Sequence, residues 1–217
     1  MVQLHGYFRS SAAYRVRIAL NLKGLAYDSL PVHLTRGGGE QHSPAYMAIN
    51  PERLVPTLQD GEARLTQSLS ILEYLEERYS ATPLLPAGAT ERGWVRAIAA
   101  QIACDVHPLN NLRVLQYLER TLGASAEQKS AWIAHWITEA FDALEVRLAR
   151  DGRSGLCCFG DAPTFADCCL VPQVFSARRF NVPLDGYPSI VRIDAYLATL
   201  KSFQQAAPGV QADAEQP

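Results

Sequence analysis

No long apolar run occurs in the 217-residue chain. No window approaches the roughly 20 residues that a helical membrane span needs. The leading MVQLHGYFRSS holds no apolar core of signal-peptide length. Basic charge is not in excess: 20 Lys and Arg face 22 Asp and Glu, a formal net charge of -2. That balance argues against a nucleic-acid partner, because such domains carry a basic patch. Nothing has the spacing of a metal site, a phosphate loop or a Ser-His-Asp arrangement, and there is no internal repeat. The cysteines number five, include the adjacent pairs Cys157-Cys158 and Cys168-Cys169, and form no C-x-x-C. Neither a disulfide framework nor a zinc or dithiol motif is expected, and a reduced cytoplasmic setting is the simplest expectation.

What is present is a change of pattern near residue 80. VQLHGYF reads as a strand, residues 10–23 as a helix stopped by Gly24, and AYDSLPVHL as a second strand. A glycine run at 37–39 precedes a short helical piece near 42–49. VPTLQD and ARLTQ flank Asp60-Gly61, a hairpin signal. SLSILEYLEERY closes the segment as a helix with Leu69, Leu72 and Leu75 on one face. Beyond the connector SATPLLPAGAT the signal is helical only, over 91–121, 126–150, a stretch opening at DAPTFADCCL, and 188–202. Thr164 and Asp167 have capping-box spacing and are assigned to folding alone. The tail PGVQADAEQP is polar and expected to fray. The expected organisation is a small α/β domain over 1–82 and an all-helical domain over 89–217.

Candidate chemistry gathers at the element junctions. Ser10 and Ser11 stand where a strand becomes a helix. One of them can cap the helix, and the same hydroxyls and open N–H groups can hold a thiolate or carboxylate. Val55-Pro56 precedes a strand, where a cis bond would expose the backbone of Val55. Gln67-Ser68 opens a helix and reads as a cap or as a second anion site. In CDVHPLNNLRVLQYL, Pro108 is expected to kink a continuous helix on which His107 and Asn111, four apart, share a face. Asn110 lies close to that face and Arg113 about a third of a turn away. Arg178 and Arg179 end a helix, where they complement its dipole or clamp an acidic substrate.

Taken together, YFRSSAAYRVRIALNLKG, INPERLVPTL, TQSLSILEYLEE, HPLNNLRVL, FGDAPTFADCCLVPQV and RRF resemble the zeta class of cytosolic glutathione transferases, the maleylacetoacetate/maleylpyruvate isomerase family. The likeness runs over nearly the whole chain. It implies a thioredoxin-like N-terminal domain that binds glutathione, with Pro56 cis, and a helical C-terminal domain that contributes to the substrate site. Carried over residue by residue, Ser10 and Ser11 lie beside the glutathione sulfur. Gln41, Val55, Gln67 and Ser68 bind the rest of glutathione, with His107, Asn111 and Arg113 contributed by the helical domain. Arg9, Arg113 and Arg179 contact the carboxylates of a small acidic enone. The implied reaction is reversible thiolate addition to a cis double bond, in aromatic amino acid or gentisate breakdown, by a homodimer without membrane or nucleic-acid partners. One departure is Ala12, where many zeta members have cysteine after the two serines. Rival readings are a broad transferase acting on electrophiles or α-haloacids, and a glutathione-binding protein without catalysis.

Overall fold

Val2, Leu4 and Gly6 are the buried positions of strand β1 (Val2–Gly6), alternating as a strand of period two requires. In the computed structural model, which describes residues 1–215, β1 sits inside a four-stranded sheet of order β2-β1-β3-β4. Strand β2 (Tyr27–Pro31) runs parallel to β1, whereas β3 (Thr57–Asp60) is antiparallel to both β1 and β4 (Ala63–Thr66). The β3–β4 hairpin forms at the sequence signal, with Asp60 paired to Ala63 and the turn at Gly61-Glu62. Helices α1 (Ser11–Leu22), α2 (Pro44–Ile49) and α3 (Ser68–Arg78) complete the βαβ-α-ββα order. Gly24, at φ 68°, ends the α1 segment in the left-handed conformation that glycine adopts without penalty.

Nine consecutive residues of α1, Ala12 to Leu20, are buried. A helix enclosed all round needs cover on more than one side. Helix α3 supplies one cover, and the other comes from the far end of the chain, helix α9 (Lys201–Ala206), where Phe203 and Ala206 are buried. Burying Phe203 contributes about 2–3 kcal/mol. The expected helix over 188–202 is therefore two helices, α8 (Pro188–Leu197) and α9, and residues from Ala198 onward group with Met1–Leu84 in one compact unit. Within the tail expected to fray, a 3-10 turn at Pro208–Val210 follows α9 and Asp213 accepts a hydrogen bond from the Phe8 N–H at 3.0 Å, while residues 216 and 217 lie outside the described residues.

The second unit, Leu85–Leu197, is helical. Its core is helix α7 (Phe165–Arg179), buried along most of its length and packed on α4 (Ala89–Ala100) and α8, with α6 (Ala126–Arg150) against α8. Asp167, wholly buried, accepts from the Thr164 N–H and Oγ1 and from the Cys158 N–H at 2.8–2.9 Å, which makes the expected cap a tie to the preceding loop as well. Burial raises its carboxyl above the usual range, and the hydrogen bonds oppose that rise. The helix expected over 91–121 is interrupted. After α4 the chain widens into a π-helical turn, Gln101–Val106, where the His107 N–H bonds the Ile102 carbonyl. A turn follows, and α5 (Leu112–Arg120) starts afresh with Asn111 as its N-cap. Pro108 has no N–H for the Cys104 carbonyl, so the α-helical ladder stops there instead of merely bending.

Candidate functional site

The sheet register brings three junctions to one edge. His5 pairs with Thr57, and Thr57 pairs with Thr66, so these residues form a row across three strands. Just past the row, after Gly6 ends β1, lies the loop to Ser10 and Ser11. One step before it on β3 lies Val55-Pro56, whose peptide bond is cis. One step beyond it on β4 are Gln67 and Ser68. At the same end of β2, the Val32 N–H bonds the Gly6 carbonyl at 2.7 Å, and the chain then passes Leu34, whose carbonyl accepts from Gln41 Nε2 at 3.3 Å.

The adjacent serines divide their work. Ser10 is the N-cap of α1, its Oγ accepting from the Ala13 N–H at 3.2 Å. Ser11 begins the helix, and its hydroxyl makes no hydrogen bond among the described residues. The first N–H groups of a helix have no internal partner. No acidic side chain occupies the first turn of α1 or α3, so both N-termini keep their preference for an anion. At α3 no side chain caps the end. Gln67 occupies the capping position at φ 65°, a left-handed conformation uncommon for a non-glycine residue and concentrated at functional sites. Its amide instead donates to Glu52 Oε2 at 2.7 Å, while Glu52 Oε1 accepts from Thr66 Oγ1 at 3.2 Å. Ser68 is buried, and its Oγ accepts from Arg15 Nη1 at 3.1 Å, which links α1 to the first turn of α3.

Two further residues offer open polar groups. The Leu54 carbonyl is claimed by Tyr46 Oη at 2.6 Å and Asn50 Nδ2 at 2.8 Å, whereas the N–H and carbonyl of Val55 have no partner among the described residues. Gln41 is buried, yet its Oε1 has no hydrogen-bond partner, a costly arrangement unless a ligand or water completes it. Gly39, at φ 104°, makes room for it: a β-carbon there would come within 2.5 Å of the Gln41 amide. Arg9 is held over the Phe8 and Tyr7 rings at 4.9 and 5.7 Å and donates from Nη2 to the Tyr7 hydroxyl at 2.9 Å.

In the second unit the expected cluster takes a different form. His107 closes the π-helical turn and Asn111 caps the next helix, accepting from the Arg113 N–H at 3.1 Å, so the two do not share a helix face. Arg113 is exposed in the first turn of α5. The two terminal arginines of α7 are not equivalent. Both are exposed; Arg178 pairs with the buried Asp194 at 2.6 Å, and the Arg179 guanidinium lies 4.9 Å from the Phe180 ring.

The glutathione S-transferase N-terminal domain family matches residues 4–83, and the corresponding C-terminal domain family matches residues 131–212. A bacterial maleylpyruvate isomerase, described as a zeta-class glutathione S-transferase, superposes with a TM-score of 0.95 at 49% identity, covering 98% of this chain and all of that one. This chain belongs to the zeta class of the glutathione S-transferase family. A probable maleylacetoacetate isomerase of Vibrio cholerae is 51% identical over 97% of each chain. The maleylacetoacetate isomerase of Methylobacterium extorquens AM1, solved with malonate and glutathione bound, has a TM-score of 0.95 at 39% identity, covering 99% of this chain and all of that one.

The sheet edge of this zeta-class chain suits glutathione, a small peptide with a thiol and two carboxylates. It has two helix N-termini for negative groups, an open backbone residue at Val55 for a peptide group, and an unpartnered buried oxygen on Gln41 for a donor. Sequence reasoning missed Arg15 and Glu52, which hold Ser68 and Gln67, and Arg17, which donates to the Tyr7, Phe8 and Ala206 carbonyls. The signal was two arginines inside an otherwise apolar helix. Buried arginines need acceptors; Arg17 finds backbone carbonyls and Arg15 the Ser68 hydroxyl.

Proposed function

We propose that the protein is a glutathione-dependent cis–trans isomerase of a small enone diacid, maleylacetoacetate or maleylpyruvate. The observation that carries this is the free Ser11 hydroxyl on a helix N-terminus without acidic neighbours, at the sheet edge shared by Val55 and Ser68. When bound, glutathione supplies a thiolate that adds reversibly to the cis double bond, allows it to rotate, and is regenerated. Ser11 donates its hydroxyl hydrogen to the sulfur, and the N-terminus of α1, kept ordered by the Ser10 cap, favours the deprotonated form. Ser68, Gln67 and the α3 N-terminus hold a carboxylate, and Val55 and Gln41 take peptide groups. His107, Asn111 and Arg113 are assigned to the same ligand from the helical unit.

Arg9, Arg113 and Arg179 are assigned to the diacid, where guanidinium groups bind carboxylates and offset charge that develops during the reaction. Ala12, buried at the second position of α1, offers no thiol, so the serine and the helix carry thiolate stabilisation here. A cytoplasmic homodimer belongs to the same proposal, and sedimentation at micromolar protein tests the dimer. The activity test mixes purified protein with maleylpyruvate or maleylacetoacetate, with and without a trace of glutathione, and follows the enone absorbance. Turnover that requires glutathione and leaves its concentration unchanged is expected. Conjugation or dehalogenation without isomerisation of either diacid would refute the reading.

A further inference from the structure

The loop from Tyr7 to Ser10 carries the serines, and its polar backbone groups are held by residues far away in sequence. The Tyr7 carbonyl accepts from the Ser10 N–H at 3.0 Å and from Arg17 Nη1 at 3.4 Å, and the Phe8 carbonyl accepts from Arg17 Nη2 at 3.0 Å. Arg17 is almost fully buried and donates its Nε to the Ala206 carbonyl at 2.9 Å. The Phe8 N–H donates to Asp213 Oδ2 at 3.0 Å. The Asp213 carboxylate also lies near enough to Arg17 to attract its charge. The loop is therefore gripped on its carbonyls by a cation and on its amide by an anion.

A second carboxylate two residues on holds the neighbouring loop after β2. Glu215 Oε1 lies 2.9 Å from His33 Nε2 and 3.3 Å from Arg36 Nη2. His33 Nδ1 accepts the N–H groups of Thr35 and Arg36, at 3.3 and 2.8 Å, so the ring donates from Nε2. The His33 ring packs edge-on against Tyr7 at 4.9 Å, and the Tyr7 hydroxyl accepts from Arg9. Asp213 thus ends on the segment that leads to Arg9, Ser10 and Ser11, and Glu215 holds the His33 ring that packs against Tyr7 at its start. Charge-assisted hydrogen bonds of this kind are roughly twice as strong as neutral ones.

We infer that Asp213 is a positioning residue: through the Phe8 N–H it fixes the Tyr7–Ser10 loop so that Ser11 and the start of α1 meet the thiol of the bound ligand. The inference rests on the reading of this edge as the glutathione site. Two substitutions test it. Asp213→Ala removes the acceptor, and Asp213→Asn keeps an oxygen in place without the charge. In the ligand-free protein, hydrogen exchange of the Tyr7–Ala13 segment is expected to rise about tenfold in Asp213→Ala and to stay near the unaltered rate in Asp213→Asn. With glutathione added, the ultraviolet band of the bound thiolate should titrate at higher pH in Asp213→Ala, and kcat should fall more than KM rises, with Asp213→Asn restoring most of both.

Unchanged exchange in Asp213→Ala would overturn the inference. So would faster exchange, or a lower Tm, with the thiolate titration and kcat unmoved, since the tail would then only brace the fold. Absence of the thiolate band in the unaltered protein would strike the glutathione reading instead. The exchange comparison would still decide whether Asp213 holds the loop.

Discussion

Replacing Ser10 and Ser11 separately by alanine removes one oxygen each, and the two losses should fall on different properties. Ser10 Oγ holds the Ala13 N–H as the N-cap of α1. Losing such a cap costs about 1 kcal/mol, which for a chain of this length lowers Tm by roughly 2–4 °C. Ser11 holds nothing among the described residues and sits at a helical position, where alanine is favoured by a few tenths of a kcal/mol. Its replacement should leave stability within about 0.5 kcal/mol. The activities should reverse that order. A hydrogen bond to a charged sulfur contributes about 1.5–3 kcal/mol, and each 1.36 kcal/mol is tenfold in rate, so Ser11→Ala should lower kcat about 10- to 150-fold. Ser10→Ala should lose only a few-fold. The assay pairs thermal unfolding with isomerisation of maleylpyruvate at saturating glutathione. A Ser11→Ala protein with full turnover, or a Ser10→Ala protein that is stable but inactive, would refute the division of roles.

Lys23 Nζ, buried at the end of α1, donates to Glu76 Oε2, the Tyr79 carbonyl and the Thr82 carbonyl at 2.9–3.0 Å. Lys23→Met should cost about 3–5 kcal/mol in urea unfolding, because it leaves Glu76 buried beside unpaired carbonyls; adding Glu76→Leu should recover part of that loss, and equal single and double variants would contradict the account. Among the cysteines, Cys104 is exposed while the other four are buried, and burial with nearby Asp167 and Asp161 pushes the Cys157 thiol up to about 12. A disulfide reagent at mild alkaline pH should therefore titrate one fast thiol in the native protein and all five after denaturation; two or more fast thiols would contradict the burial. Burial, and secondarily Arg64, lowers the His5 pKa from its ordinary 6.5. The unfolded chain then binds the extra proton first, so stability held above pH 6.5 should be lost as pH falls from there toward the folded value. His5→Gln should flatten that acid limb, and an unchanged slope would show that other groups set it.

The elements that were legible in the sequence are those set by neighbours. The Asp60-Gly61 hairpin, the stop at Gly24, the cap at Thr164 and Asp167, and both serine junctions each depend on residues within a few positions. What was not legible depends on distant partners: Arg15 meets Ser68 across 53 positions, and Phe8 meets Asp213 across 205. The break after residue 106 is an intermediate case. Pro108 signalled a disturbance, but whether a helix kinks or restarts depends on what satisfies the freed carbonyls, and Asn111 was available as a new cap.

The ambiguity at the serines has a physical origin as well. A helix N-terminus offers its open N–H groups equally to its own cap and to a foreign anion. No local pattern can separate the two uses when two hydroxyls stand side by side. The separation comes from geometry: the first hydroxyl lies in the extended capping conformation, at φ -69° and ψ 115°, and turns inward to the Ala13 N–H. The second begins the helix with its oxygen free. At α3 the same competition resolves the other way. Gln67 occupies the capping position but gives its amide to Glu52, which leaves that N-terminus without a side-chain cap of its own. An end that keeps its N–H groups open at an energetic cost is better explained by a ligand than by the fold, and the N-terminus of α3 is such an end.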